Sequence, residues 1–437
     1  MKKRLVSLAL AALMILSLAA CSGTAAKPTP TSQGANETPA IQPSSTPTPV
    51  DDGTQGVTDT EILIGNTCSV SGALASTGIP MVAGLEAYLE MVNESGGIGG
   101  RKITYVHRDD DFDPIKGKAY LQELVEDVKV FAIVMDFGTP VVAATVDDLK
   151  SYGIPTVYFA TGIGQLYAEG ATTNADGVNL FPVQPIYITE GQLMTARCVA
   201  NFNARKIGVI YTNDDAGKDM MNGAQMKAQE LGVELVSQQV VAGTADASSA
   251  VTAIKSEGVD AVIVAAIQAT MPTIVKEMVA QGMDVPAITS YVNCSMAMTD
   301  LIYESISGKF DVYANGWLDY TTEVNQEAYN LYLEWIPEEY ALNAYAQCGW
   351  IAGATFCEGL RRLEDSGEEV TWTNYIAAME EAPVAIPFGA VIDYAGGMRT
   401  GTQSMNLFRC DKNDPSGIGW AQMYPLESID EILAGVK

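Results

Sequence analysis

Glu61-Ile62-Leu63-Ile64-Gly65-Asn66-Thr67-Cys68-Ser69-Val70-Ser71-Gly72-Ala73-Leu74-Ala75-Ser76-Thr77-Gly78 opens the stretch whose reading decides the fold. Ile62 to Gly65 is a short apolar run of the kind a buried strand presents. Small polar residues from Cys68 to Gly78 form the loop that follows. Met81, Val82, Leu85, Tyr88, Leu89 and Val92 then recur at helical spacing, and Glu94-Ser95-Gly96-Gly97 predicts the helix stop. Ile103 to His107 reads as a second strand, leading into Asp109-Asp110-Asp111-Phe112-Asp113-Pro114. Strand, loop, helix, strand is the order of a βαβ unit. Such a unit puts hydroxyls and unsatisfied helix N–H groups at the carboxyl end of a strand, where open α/β sheets bind ligands. The partial positive charge of a helix start suits a carboxylate or similar group there.

Working outward, the same alternation continues. A helix is expected from Pro114 to about Asp127, a strand over Val130 to Met135, and a polar turn over Asp136-Phe137-Gly138-Thr139-Pro140. A helix from Val141 to Tyr152 and a strand from Pro155 to Phe159 deliver Ala160-Thr161-Gly162-Ile163-Gly164. Three successive strand-end loops therefore present small or hydroxyl residues at one sheet edge, the arrangement of a ligand cleft. From Ile186 the pattern restarts. Helices over 189–203, 217–231, 247–257 and 271–281 alternate with strands over 206–211, 233–240, 261–266 and 286–290, which predicts a second parallel sheet. Residues 311–317 are expected to cross back to the first lobe, where helices over 343–365 and 372–381 pack. Strands over 404–409 and 419–425 then return to the second. The fold class is α/β, with two lobes, each a parallel sheet flanked by helices. Residues 57–183 and 316–397 make lobe 1, residues 184–315 and 398–437 make lobe 2, and three crossovers form a hinge.

Ser71-Gly72 with Gly78, then Asn93-Glu94-Ser95-Gly96-Gly97-Ile98-Gly99-Gly100-Arg101-Lys102, then Asp109-Asp110 with Asp113-Pro114, jointly resemble the extracellular solute-binding proteins of ABC importers. The similar branch is the branched-chain amino acid (Leu/Ile/Val) type, with the type 1 periplasmic binding fold. The resemblance is strongest over 57–165 and continues more loosely to the C-terminus. It implies capture of an amino acid-like or other small carboxylate or amide solute, and delivery to a membrane permease. A sensor that signals to a membrane receptor is the alternative. Carried over position by position, Thr139 falls where a serine meets the ligand carboxylate. Ala160 and Gly162 fall where a carbonyl takes the ammonium and a further donor meets the carboxylate, and Thr77 where an aromatic leans over the ligand. Ser71 and Thr161 complete the first-lobe set, and Gln268, Tyr291 and Trp317 the remainder. Tyr158, Tyr291, Trp317 and Tyr345 suggest an aromatic wall.

The departures matter as much. Tyr291 stands where the family has an acid for the ammonium, Ala216 where amino acid binders have a tyrosine, and Gln268 or Ile267 where another aromatic is expected. The family's disulfide positions are Phe112 and Gly138. Burying an ammonium without an acid is costly, so either the ligand lacks a free α-ammonium or Asp214 or Asp319 supplies the charge.

The N-terminus predicts export. Lys2, Lys3 and Arg4 precede an apolar run from Leu5 to Ala20, shorter than the ~20 residues that span a bilayer. Leu18-Ala19-Ala20-Cys21 matches the bacterial lipobox, so residues 1–20 are read as a lipoprotein signal and Cys21 as the lipidation site. Residues 21–56 are read as the lipidated cysteine and a disordered Thr/Pro/Ser tether. The product is expected to be a monomer, lipid-anchored on the extracytoplasmic side of the cell membrane. Formal charge is −28, and near −31 once the signal's basic residues are removed, which excludes a nucleic-acid partner.

Cys68, Cys198, Cys294, Cys348, Cys357 and Cys410 show no metal spacing, and their pairing is not fixed by the sequence. The single histidine, His107, lies in an expected strand. No nucleophile elbow, Walker loop or HExxH is present, so neither an enzyme nor a cofactor is expected. The aspartates from Asp109 to Asp113 read as a solvated loop in which Asp113 caps a helix begun by Pro114.

Overall fold

Burial of apolar strands between helical layers organises residues 53–436, which the computed structural model describes. The signal segment, Cys21 and the tether as far as Asp52 lie outside the described residues. Gly53 to Gly56, counted with the tether on composition, belong instead to the packed region. Gln55 is buried and donates to Val130 O at 2.8 Å, and Trp372 N–H donates to Gly53 O.

The first sheet contains β1 (Glu61–Thr67), β2 (Lys102–Arg108), β3 (Ala132–Phe137), β4 (Thr156–Ala160) and β5 (Leu180–Phe181), in the order β2-β1-β3-β4-β5. All its pairings are parallel, with Ile62 opposite Ile103 and Phe137 opposite Ala160. Helices α1 (Ala75–Glu94), α2 (Pro114–Gln122) and α3 (Thr139–Tyr152) connect its strands. Asp113 Oδ1 accepts Ile115 N–H at 2.8 Å, so the cap and the N1 proline start α2 as the sequence predicts.

The chain then enters a second sheet through α4 (Tyr187–Phe202). Strands β6 (Lys206–Thr212), β7 (Glu234–Val240), β8 (Ala261–Ala265), β9 (Ala287–Thr289) and β10 (Val312–Gly316) alternate with α5 (Asp215–Leu231), α6 (Ser248–Ser256), α7 (Thr270–Ala280) and α8 (Met296–Ile306). Residues 312–316, expected to cross to the first lobe, are instead the last parallel strand here, pairing with β9. The crossing begins at Trp317, because Val312, Ala314 and Gly316 are buried within the second sheet.

Helices α9 (Glu323–Trp335), α10 (Ala344–Ser366) and α11 (Trp372–Glu381) follow, and α10 packs on α1, β3 and β4. A small hairpin, β11 (Val384–Ala385) with β12 (Val391–Ile392), precedes the third crossing. The chain then adds β13 (Ser404–Cys410) and β14 (Trp420–Ser428) antiparallel to the second sheet, giving β14-β13-β10-β9-β8-β6-β7, and ends the described region with α12 (Ile429–Ala434).

Each sheet carries a pair of helices in backbone contact. At the α1–α10 crossing a Cβ on Gly84 would lie 1.8 Å from Ala346 O, and one on Gly349 1.8 Å from Met81 O. At the α4–α5 crossing a Cβ on Gly191 would lie 2.0 Å from Met220 O, and one on Gly223 1.8 Å from Ile188 O. Only glycine permits these approaches. No helix among the described residues is long and apolar enough to cross a membrane.

Candidate functional site

The strand ends of both sheets face a cavity of about 90 Å³. That exceeds the ~10–15 Å³ needed for one water several times over, which suits a small solute. From the first sheet come Phe137 and Ala160, at the ends of β3 and β4, and Thr77 and Met81 from the first turns of α1. From the second come Gln268, Tyr291, Val292 and the Cys294-Ser295-Met296 turn that starts α8. The chain leaving β10 supplies Trp317, Leu318 and Tyr320, and the first turn of α10 supplies Ala344, Tyr345, Gln347 and Cys348.

Among the described residues, no Asp, Glu, Lys, Arg or His lines this cavity. Its walls are mostly aromatic and aliphatic side chains, with Thr77, Ser295 and the amides of Gln184, Gln268 and Gln347 set among them. Gln184 Nε2 donates to Tyr158 Oη at 2.8 Å, and its Oε1 accepts from Tyr291 Oη at 3.2 Å. Gln347 is 1 % exposed. Its Oε1 accepts from Tyr320 Oη, and its buried Nε2 has no partner. Gln268 sits at φ +49°, a left-handed conformation that costs a non-glycine residue roughly 1 kcal/mol or more. Asn293 Oδ1 accepts its N–H at 2.7 Å and fixes that turn.

Of the residues expected from the sequence, Thr77, Ala160, Gln268, Tyr291 and Trp317 line the cavity, with Tyr345 beside them. Ser71, Thr139, Thr161 and Gly162 do not. Ser71 is exposed and its hydroxyl faces Asp111 at 3.5 Å. Thr139 and Thr161 are buried with their hydroxyls engaged to each other at 2.8 Å. At Gly162 a Cβ would lie 2.3 Å from Pro185 O and 3.0 Å from the Tyr291 hydroxyl, so the chain behind this glycine is closed off. Tyr158 is fully buried outside the cavity wall.

Neither suggested acid reaches the cavity either. Asp214 caps α5, accepting from Gly217 N–H at 3.0 Å and Thr212 Oγ1 at 2.6 Å. Asp319 Oδ1 accepts from the Thr321 amide and hydroxyl. The acid that sequence reasoning missed is Glu190, on α4 behind Tyr291. It is fully buried and accepts from Ser290 Oγ and Tyr291 N–H, both at 2.7 Å, and from Asn315 Nδ2 at 3.4 Å. Burial pushes its carboxyl up to about 7, against the pull of those donors. Only the apolar context around it, Tyr187 to Met194, hinted that a glutamate there would be interior.

The two parts of the chain also touch directly. At the cavity Gln268 Nε2 reaches Thr77 Oγ1 at 3.4 Å and Tyr345 Oη reaches Val292 O at 3.5 Å; outside its lining, Gly164 N–H donates to Asp219 Oδ2 at 2.8 Å. Phe112 and Gly138, where the resemblance puts the family's bridge, are in contact: a Cβ on Gly138 would lie 2.3 Å from the Phe112 ring. The six described cysteines are free, all buried except the half-buried Cys294. No cluster suited to a metal occurs among the described residues.

Comparison with known proteins agrees with this architecture. A family model described as periplasmic binding protein matches residues 61–415. The Leu/Ile/Val-binding protein homolog 1 of Brucella abortus is 24% identical over 307 residues, covering 68% of this chain and 79% of that protein. A Thermomonospora curvata fatty acid ABC transporter substrate-binding protein superposes with TM-score 0.74 at 20% identity, covering 89% of this chain and 97% of that one. A Thermus thermophilus branched-chain amino acid ABC transporter protein with bound valine superposes with TM-score 0.73 at 17% identity, covering 87% and 99%. The chain therefore belongs to the periplasmic binding proteins, and its sequence is similar to the Leu/Ile/Val-binding proteins among them.

Proposed function

We propose that this protein is the extracytoplasmic receptor of an ABC importer. It captures an amino acid-like or other small carboxylate or amide solute between two lobes and hands it to a membrane permease. The lobes are residues 57–183 with 316–397 and residues 184–315 with 398–437, and the three crossovers act as the hinge. The observation that carries this reading is the small cavity walled by residues of both sheets, with Thr77 and Gln268 meeting across it. Such a site couples occupancy to lobe closure, and closure is what a permease can recognise. Cys21 holds the lipid anchor and the Thr/Pro/Ser tether spans the distance to the membrane.

Calorimetric titration of the full chain against amino acids, amides, ureas and aromatic acids tests solute capture. Small-angle scattering with and without the binding solute tests closure, which should reduce the radius of gyration. A folded protein that binds no member of the panel sinks the proposal. Mass spectrometry of the exported protein should find a diacylglyceryl Cys21 as the first residue.

A further inference from the structure

Resting on the capture reading above, we infer that the solute carries no cationic nitrogen. It is an apolar body ending in a carbonyl-type oxygen, as an acid or an amide, without the α-ammonium of an amino acid. Two independent features point there.

The first is what the wall lacks. No carboxylate among the described residues lines the cavity, and Glu190, behind the Tyr291 turn, is occupied by Ser290, Tyr291 and Asn315. Tyr291 itself stands between that acid and the ligand space, and its hydroxyl is turned to Gln184 Oε1 and Pro185 O at 3.2 Å each. An ammonium enclosed here would lose its hydration and gain no counter-charge, an outcome that proteins avoid.

The second is what the wall offers. Gln347, one of the lining residues, carries a buried amide N–H₂ with no partner, and an unsatisfied donor is a cost that a ligand oxygen removes. The starts of α1, α8 and α10 present Thr77, Met296 and Ala344 at the same cavity, and each helix start favours an electron-rich oxygen. Donors without acids select the oxygen end of a solute and reject a cationic nitrogen.

Matched triplets on the full chain test this by calorimetry: valine, isovalerate and isovaleramide, then phenylalanine, 3-phenylpropionate and 3-phenylpropanamide. The amino acid of each bound triplet should be weaker than its acid or amide by ~100-fold, the consequence of an unpaired buried charge. Which of acid and amide leads identifies the oxygen group. Gln347→Leu should weaken the leading solute by ~10-fold while the urea midpoint holds, and Gln347→Glu should weaken an acid further and narrow its margin over the amino acid. An amino acid that binds as tightly as its amine-free partners overturns the inference and leaves solute capture standing. Unchanged affinity in Gln347→Leu overturns it as well. Silence from both triplets and from the wider panel, in folded protein, removes both readings together.

Discussion

The molecule uses the same helix-pairing device twice and puts it to different ends. In α1–α10 and in α4–α5, reciprocal glycines let two backbones touch at 1.8–2.0 Å from a would-be Cβ. The first pair lines the cavity directly, through Thr77 and Met81 on α1 and Tyr345, Gln347 and Cys348 on α10. The second pair contributes no lining residue. It works from behind, with Glu190 on α4 holding the Tyr291 turn and Asp219 on α5 holding the Gly164 loop. Close helix packing thus fixes position in both halves, while what each pair delivers depends on which helix ends reach the cavity.

The strongest way to break this contrast is to add one methyl group to each pair. Gly84→Ala and Gly223→Ala should each lower stability by about 2–3 kcal/mol in urea titration, since overpacking against backbone oxygen outweighs the helix propensity gained. Only Gly84→Ala should also weaken solute binding, by ~10-fold or more, because it displaces lining helices. Equal loss of affinity in both variants would erase the distinction.

Next in size is a pH effect carried by the second pair. Burial raises Glu190 to about 7 from an ordinary 4.5. The folded state therefore holds a proton that the unfolded chain releases, and its stability declines as pH rises from about 4.5 through 7. Asp136, raised to about 7, and Asp110, raised to about 6, both by burial, act in the same direction. Urea midpoints should fall between pH 5 and 8. Glu190→Gln should remove on the order of 2 kcal/mol of that slope while retaining most acceptor contacts. A slope that Glu190→Gln leaves untouched would refute the assignment.

Smaller still is the effect expected at Thr139. Its hydroxyl is engaged with Thr161, so Thr139→Val should cost about 1 kcal/mol of stability and change solute affinity less than about twofold. A tenfold affinity loss would return Thr139 to the ligand. Finest is the contact across the lobes: Asp219→Ala should cost no more than about 1 kcal/mol and shift free protein toward a larger radius of gyration.

Local patterning made most of the scaffold legible. Apolar runs such as Ala261–Ala265 are fully buried strands, and Asp113-Pro114 starts a helix where capping chemistry requires it. Helix α9 was not legible, because of its residues only Asn325 and Tyr332 are buried, too few to impose a helical stripe. Helix α8 was obscured by the Tyr291–Asn293 turn and Ser295 cap before it. At the site, Thr77, Tyr291 and Trp317 were within reach of motif and resemblance. Gln184 and Gln347 were not, since a glutamine far from any motif has no sequence signal of facing a ligand.

By itself, the sequence determined the alternation of strand and helix and the loops at the strand ends, because backbone hydrogen bonding and apolar periodicity act over a few neighbouring residues. It also determined the absence of an acid at Tyr291. Tertiary structure alone decided which hydroxyls face inward to each other, as Thr139 and Thr161 do, and that Glu190 lies behind the wall while Gln347 has a donor left over. Those outcomes depend on which groups from distant segments meet in a buried space, where every donor and acceptor must find a partner or await one.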